Sequence, residues 1–375
     1  MNSKPTVLVI DDYKIIIALV EKLLGKDFNL ISAMTAKEGL KLIEEKLPDL
    51  ILLDVDIPDM SGFEIIKIIK EKPFIKDIPV IFLTGRTKAE DIISGFELGA
   101  VDYINKPFNL KELRLRVDTH IKLKKYQDML KKRALEIEKE IKMAKTIQAK
   151  IMPLTPPNKK ISFLYKPMYL IGGDFFDIIE ISENIYGIFI SDVSGHGVPA
   201  ALITSMLKSL IKECKELNNP SALLKYINDR MLELAAGNFI TAFYGIFDFN
   251  NKVVTFSNAG HPAPFIIKDD VDIVNINKKG LPLGIYSNIT LSTLGKEYVN
   301  TSIKIDSKVL LYTDGLIETI SETGEYFESI MPEVLKKAKD LTTKDMISHI
   351  YNSLINFRKN DEFDDDICMI VVDLS

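Results

Sequence analysis

Thr6-Val7-Leu8-Val9-Ile10-Asp11-Asp12 is the stretch that decides the first fold: five apolar or β-branched residues, then two acids with no spacer. A run of that length reads as a buried strand, and the abrupt charge marks where it meets solvent. Working outward, Leu30–Ala33 follows, Leu50–Val55 carries Asp54, Pro79–Thr84 ends on Thr84, and Val101–Ile104 runs into Lys106-Pro107. Between them Ile15–Leu24, Ala36–Lys46, Gly62–Lys70 and Ala89–Leu98 are apolar at three- and four-residue spacing. Five strand–helix units in succession predict an α/β domain, a doubly wound parallel sheet with helices on both faces. Ligands of such sheets bind at the carboxyl ends of the strands. Asp11, Asp12, Asp54, Thr84 and Lys106 are therefore expected to converge on one edge.

Three carboxylates that close cannot all stay ionised without a cation, and an all-oxygen cluster suits Mg²⁺. Asp54, neutralised by metal, could attack phosphorus, with Lys106 on the phosphoryl oxygens and the Thr84 hydroxyl nearby. One Asp at one strand end reads more simply as a helix cap, but five matching positions point to chemistry. With these residues, 4–120 resembles a response-regulator receiver domain of flavodoxin-like fold. The resemblance implies that Asp54 is the phosphoacceptor and that Asp11 and Asp12 hold Mg²⁺ with the carbonyl of Asp56. It also implies a cis Lys106-Pro107 bond, a switch pair of Thr84 and Tyr103, and a sensor histidine kinase as phosphoryl donor.

The chain has 375 residues, 46% of them hydrophobic and 27% charged, enough for two or three domains and incompatible with wholesale disorder. A net charge of −5 supplies no basic field for nucleic acid. Two cysteines, Cys214 and Cys368, and four histidines give neither a disulfide framework nor a zinc cluster. Catalytic metal would have to rest on carboxylates. No apolar run approaches the ~20 residues of a membrane span, and the N-terminus does not read as a signal peptide. The expectation is a cytoplasmic protein with no membrane or nucleic-acid partner.

From Leu110 to Met152 there is neither glycine nor proline, which predicts one long helix. Leu123, Tyr126, Leu130, Ile137, Ile141, Ala144, Ile147 and Ile151 approach a heptad seam broken at Arg133. A solvated connector and a dimerising coiled coil both fit that pattern. Residues 1–121, 122–155 and 156–375 are expected as first domain, helical linker and second domain, the whole forming a homodimer.

Pro153-Leu154-Thr155-Pro156-Pro157 breaks the helix. Beyond it Ile161–Tyr165, Ile185–Ser191, Ile240–Phe247 and Val253–Ser257 read as strands, with a hairpin turn at Asn250-Asn251 and helices at Pro199–Lys215 and Pro220–Ala235. Strands without regular crossover helices make an α+β domain. Its acids stand where apolar strands meet turns: Asp174 and Asp177 around Gly172-Gly173-Asp174-Phe175-Phe176-Asp177, Asp192 before Val193-Ser194-Gly195-His196-Gly197, Asp314 before Gly315, and Asp365-Asp366 before Ile367. Four such junctions could ring a binuclear site in which two hard cations activate a water and clamp a phosphoryl group.

These motifs are joined by Asn258-Ala259-Gly260-His261-Pro262, Leu281-Pro282-Leu283-Gly284 and the lead-in Ile147-Gln148 to Met152-Pro153. With them, residues 141–375 resemble the bacterial branch of the PPM serine/threonine phosphatases, the protein phosphatase 2C type of sporulation and stress-response partner switching. The resemblance implies that Asp192 bridges two Mn²⁺ or Mg²⁺ ions. Asp174 and the Val193 carbonyl would complete one, Asp314 and Asp365 the other, with Asp366 and Asp177 as further candidates. It implies a phosphorylated anti-sigma-factor antagonist as substrate. His196 is a candidate acid toward the leaving oxygen, whereas His261 reads as part of a tight turn. Cys368 stands where that family usually has threonine, and no arginine in the motifs is available to grip phosphate. Two rivals are a diguanylate cyclase, which would need an acid at Phe175, and a phosphorylation-controlled adaptor, which would have lost some of the four acids.

Overall fold

The computed structural model describes residues 4–85, 89–168, 170–235, 237–268, 271–273, 280–360 and 363–375. The chain divides into two compact units, Met1–Ile137 and Glu138–Ser375.

In the first unit β1 (Thr6–Ile10), α1 (Lys14–Leu24), β2 (Asn29–Ala33), α2 (Ala36–Lys46), β3 (Leu50–Asp54), α3 (Gly62–Glu71), β4 (Val80–Thr84), α4 (Ala89–Glu97) and β5 (Asp102–Asn105) alternate strictly. The strands form one parallel sheet in the order β2-β1-β3-β4-β5. Both faces are apolar because the strands are continuous hydrophobic runs. Leu8, Ile10, Ile51, Leu53, Val80 and Phe82 join Ile43, Ile65 and Ile69 on one side. Val7, Val9, Leu52, Ile81 and Leu83 join Ile17, Val20, Leu24, Leu113 and Val117 on the other. Helix starts are written in the sequence: Thr35 accepts from the Glu38 amide, and Ser61 with Glu64 forms a reciprocal capping box.

Helix α5 runs unbroken over Leu110–Ile151, as the absence of glycine and proline predicts. Among the described residues no helix is long and apolar enough to cross a membrane.

The second unit continues with β6 (Ile161–Lys166), β7 (Phe175–Ser182), β8 (Ile185–Val193), α6 (Val198–Glu213), α7 (Pro220–Leu234), β9 (Ile240–Asp248), β10 (Val253–Ala259), β11 (Phe265–Ile267) and β12 (Val271–Ile273). It closes with α8 (Asn288–Thr293), β13 (Thr301–Lys304), β14 (Lys308–Tyr312), the short α9 (Asp314–Ile317), α10 (Met331–Ala338), α11 (Thr343–Arg358) and β15 (Ile367–Asp373). Two antiparallel sheets result, β13-β10-β9-β8-β7 and β12-β11-β14-β15-β6. Alternation along β14 and β15 explains their stacking. Val309, Leu311, Cys368, Ile370 and Val372 enter the core shared with Phe175, Ile188 and Phe243. Leu310, Tyr312, Met369 and Val371 face Met331, Leu335, Ile350 and Leu354 of α10 and α11. Leu207 and Ile227 bring α6 and α7 into the first of these cores. At the β9–β10 turn the Asp248 carboxylate accepts from the amides of Asn250 and Asn251.

Candidate metal centres

The first centre lies at the carboxyl edge of the parallel sheet, where Asp11 follows β1, Asp54 ends β3, Thr84 ends β4 and Lys106 follows β5. Lys106 Nζ is 2.7 Å from Asp11 Oδ2 and 2.8 Å from Asp54 Oδ2. Asp11, Asp12 and Asp54 each bring a carboxylate oxygen within 4.8 Å of the others. Asp12 Oδ1 is buried with no hydrogen-bond partner among the described residues. An oxygen-only donor set with an orphaned acceptor fits Mg²⁺.

Burial raises the Asp54 carboxyl above its ordinary range; the bond and charge of Lys106 oppose that shift, and Asp11 adds to it. Burial works against the Lys106 charge, yet its bonds to Asp11 and Asp54 prevail and raise it. Thr84 is buried, and the half-buried Tyr103 ring meets Phe96 edge-on at 6.3 Å. The backbone amide of exposed Asp56 approaches Asp54 Oδ1 at 3.5 Å. The Lys106-Pro107 bond is cis.

In the second unit Asp192 lies inside β8 one residue from its end, Asp174 immediately precedes β7, Asp314 opens α9, and Asp365 stands two residues before β15. Adjacent strands of the two sheets thus deliver these acids into one another's field. Burial, then the charges of Asp314, Asp365 and Asp366, push the Asp192 carboxyl up to about 7. The fully buried Asp174 is pushed well above the usual range by desolvation and by Asp192 and Asp366, a shift that the Thr313 hydroxyl opposes. Asp314 and Asp365 are also raised, each chiefly by desolvation. Buried acids that raise one another are suited to hard cations, and the oxygen donors present fit Mg²⁺ or Mn²⁺.

The loop before β7 is held almost entirely by side chains. Asp366 Oδ2 accepts from the amides of Gly173 and Asp174 at 2.6 and 3.2 Å, and its Oδ1 accepts from Met168 at 2.8 Å. Thr313 donates to Asp174 Oδ2 at 2.7 Å, while its own oxygen accepts from the Cys368 amide. A Cβ at Gly172 would collide with the Asp366 carboxylate and the Tyr165 hydroxyl, so that approach requires glycine. The Val193 carbonyl faces the same loop, 2.8 Å from where a Cβ on Gly173 would stand.

Asp366 thus accepts through both oxygens from backbone amides and holds the loop. Asp177 is likewise engaged, bound through both oxygens by Lys208 of α6 at 2.7 Å. His196 is exposed in the turn after β8, and its charge acts on Asp365. His261 is buried, its Nδ1 2.9 Å from Thr241 Oγ1, and burial pushes it down to about 3; Asn258 brackets its backbone on both sides. Phe175 is fully buried in the position where a cyclase needs an acid. Thr313 stands in a stretch, Thr313-Asp314-Gly315, that carries the family resemblance, but no role follows for it from the sequence, because a threonine before Asp-Gly reads as ordinary turn chemistry.

Comparison with known proteins finds relatives for both parts of the chain. The profile of the stage II sporulation protein E (SpoIIE) family matches residues 182–375, just over half of the chain, and that of the response regulator receiver domain matches residues 7–118. A probable cyclic di-GMP phosphodiesterase of Vibrio cholerae is 40% identical over 139 residues, 37% of this chain and 32% of its own length. The chain therefore spans about a third of that relative. The phosphoserine phosphatase RsbU of Bacillus subtilis is 28% identical over 238 residues, 61% of this chain and 69% of that one. Among solved structures, the SiaA PP2C domain of Pseudomonas aeruginosa aligns with a TM-score of 0.56 at 21% identity, covering 64% of this chain and 98% of the other, a likeness of fold. The chain belongs to the SpoIIE family, a PPM-type phosphatase domain fused behind a response-regulator receiver domain.

Proposed function

We propose that this protein is a two-component response regulator whose output is metal-dependent hydrolysis of phosphoserine or phosphothreonine on a protein. One observation carries the reading: Asp174, Asp192, Asp314 and Asp365 stand at strand ends where burial raises each of them and Asp174, Asp192 and Asp365 are raised further by acids of the same group. When bound, two hard cations would supply a hydroxide nucleophile and a clamp on the phosphoryl oxygens. Asp192 would be shared by both ions, Asp174 and the Val193 carbonyl would serve one, and Asp314 and Asp365 the other. Asp366 and Thr313 hold the Asp174 loop. His196, exposed beside Asp365, would protonate the leaving oxygen.

In the receiver, Asp54 would take a phosphoryl group from a sensor histidine kinase, with Asp11, Asp12 and the Asp56 carbonyl on Mg²⁺ and Lys106 on the phosphoryl oxygens. Thr84 and Tyr103 would report its arrival. Residues 1–121 and 156–375 would form the two domains, joined by 122–155, in a cytoplasmic homodimer. The relatives RsbU and RsbP of Bacillus subtilis, both named phosphoserine phosphatases, support the choice of phosphoserine over small phosphate esters. A phosphorylated anti-sigma-factor antagonist is the substrate proposed. The test is release of phosphate from such a phosphoprotein, with and without Mn²⁺, and with and without beryllofluoride as a phosphoryl mimic on Asp54. Hydrolysis that needs Mn²⁺ and responds to the mimic supports the reading. Absence of hydrolysis under every condition overturns it in favour of a phosphorylation-controlled adaptor.

A further inference from the structure

Gln148 lies one turn from the end of helix α5, on a segment that is otherwise largely solvent-exposed. Ile147 beside it is 52% exposed, yet Gln148 is only 5% exposed. Burying an amide while an isoleucine faces water inverts the usual preference, so the amide must be meeting polar groups. Its Nε2 donates to the Gly172 carbonyl at 2.7 Å and its Oε1 accepts from the Gly172 amide at 3.2 Å. The Nε2 also reaches Thr204 Oγ1 of α6 at 3.3 Å, and that hydroxyl donates to the Ala201 carbonyl. A single side chain therefore satisfies both backbone groups of Gly172, and Asp366 satisfies the next two amides. Among side chains in their ordinary state at neutral pH, a primary amide is the one that offers a donor and an acceptor at this spacing.

We infer that Gln148 is a positioning residue for the cation held by Asp174, its amide setting the Gly172 peptide so that the Asp174 carboxylate is presented toward Asp192. The inference rests on the metal-site reading above and adds to it a residue that touches neither metal nor substrate. Gln148→Met keeps the shape and removes all three bonds. Gln148→Glu keeps the acceptor for the Gly172 amide but sets a carboxylate against the Gly172 carbonyl.

The experiment is hydrogen exchange of the full chain titrated with Mn²⁺, following peptides that span residues 170–194. Peptides of β1 and β3 around Asp11 and Asp54 report the receiver's own ion in the same sample. Residues that orient a metal ligand typically carry about 10–100-fold in metal affinity. Both variants should therefore need about ten-fold more Mn²⁺ or higher for half-maximal protection at 170–194, with the receiver peptides unmoved. Phosphatase kcat should return to about the wild-type value once Mn²⁺ saturates, because Gln148 meets no substrate. If Gln148→Met does not fold, Gln148→Glu carries the test. An unshifted Mn²⁺ midpoint at 170–194, or a loss of kcat that saturating Mn²⁺ does not restore, overturns the inference. Wild-type protein that gains no Mn²⁺ protection at 170–194 overturns the metal-site reading and the inference with it. Wild type that gains protection without hydrolysing phosphoserine defeats the phosphatase reading alone, and the midpoints still decide on Gln148.

Discussion

The two carboxylate centres answer the same electrostatic problem differently. In the receiver a lysine is built into the cluster, 2.7 Å from Asp11 and 2.8 Å from Asp54, so the acids are partly neutralised from within the chain. In the phosphatase domain the charges acting on Asp192 among the described residues are acidic, and a hydroxyl, that of Thr313, opposes the shift at Asp174. On the proposed function, the first site would await a reagent that comes and goes, with Lys106 left to meet the phosphoryl group. The second would ionise fully only with cations in place. Loss of metal should accordingly be a modest event in one unit and a defining one in the other.

The largest expected effect is at the acid assigned to both ions. Asp192→Asn should lower phosphoserine hydrolysis about a hundred-fold or more, because cation chemistry contributes several kcal/mol to such reactions. Incorporation of phosphate at Asp54, measured by mass spectrometry with a small phosphodonor, should be unchanged. An Asp192→Asn protein with near wild-type turnover and full metal content would refute the shared-ligand assignment. The reciprocal variant, Asp54→Ala, should take up no phosphate and still hydrolyse substrate at its basal rate.

Next in size is the lysine that distinguishes the two centres. Lys106→Met converts the receiver cluster into one resembling the phosphatase cluster, with buried acids and no internal cation. Removing one partner of a buried ion pair typically costs about 3–5 kcal/mol. Exchange protection of β1 and β3 should fall by that amount in EDTA, and Mg²⁺ should recover part of it. If Lys106→Met is as well protected in EDTA as wild type, the lysine is not what neutralises this site.

How much of this was open to a reader of the sequence follows from the physics of each position. The acids announced themselves because each sits at the junction of an apolar run and a turn, where a charge without a purpose is costly. Asp365 was preferred to Asp366 only through the family resemblance, since the two are neighbours ahead of β15 and nothing local says which of them faces the site. Asp177 needed Lys208, 31 residues away, to explain it. Strand β7 was not read from sequence because Asp177 and Glu180 interrupt its apolar run, and β13 (Thr301–Lys304) has too little apolar content to stand out. Gln148 belongs to a recognised motif, yet helical periodicity alone would turn Ile147 inward.

The pH dependence should separate the centres by a smaller margin. Asp192 titrates near 3.8 in an unfolded chain and near 7 in the folded one. Between those values the folded state holds a proton that the unfolded chain has released, so stability falls as pH rises. The buried Asp174 acts in the same direction. In EDTA the melting temperature of the phosphatase unit should drop from pH 5 to pH 8, and saturating Mn²⁺, which replaces the proton, should flatten or reverse the slope. The receiver should show less of this, because Lys106 opposes the rise at Asp54. Equal slopes for the two units would mean the contrast between them is not electrostatic.

The smallest effect concerns whether the two centres communicate. Helix α5 begins in the first unit and ends in the second, with no glycine or proline over its 42 residues to absorb a rotation or shift. Leu123, Tyr126, Leu130, Ile137 and Ile147 lie exposed along it at 44–65% of their surface, as a face awaiting a second copy would. The seam is interrupted at Arg133 and Glu140, also exposed, so the pairing should be marginal and a few kcal/mol at the receiver could reverse which arrangement dominates. Two glycines inserted between Lys132 and Arg133 add about 2 kcal/mol of helix-breaking cost and a swivel. They should leave Asp54 phosphorylation and basal hydrolysis in place while the few-fold response to beryllofluoride falls to none. The ratio of rates with and without the mimic, taken beside the mass in solution, decides it. A full response in the insertion variant, or a wild type that stays monomeric in both states, would mean that the signal does not pass through a paired helix.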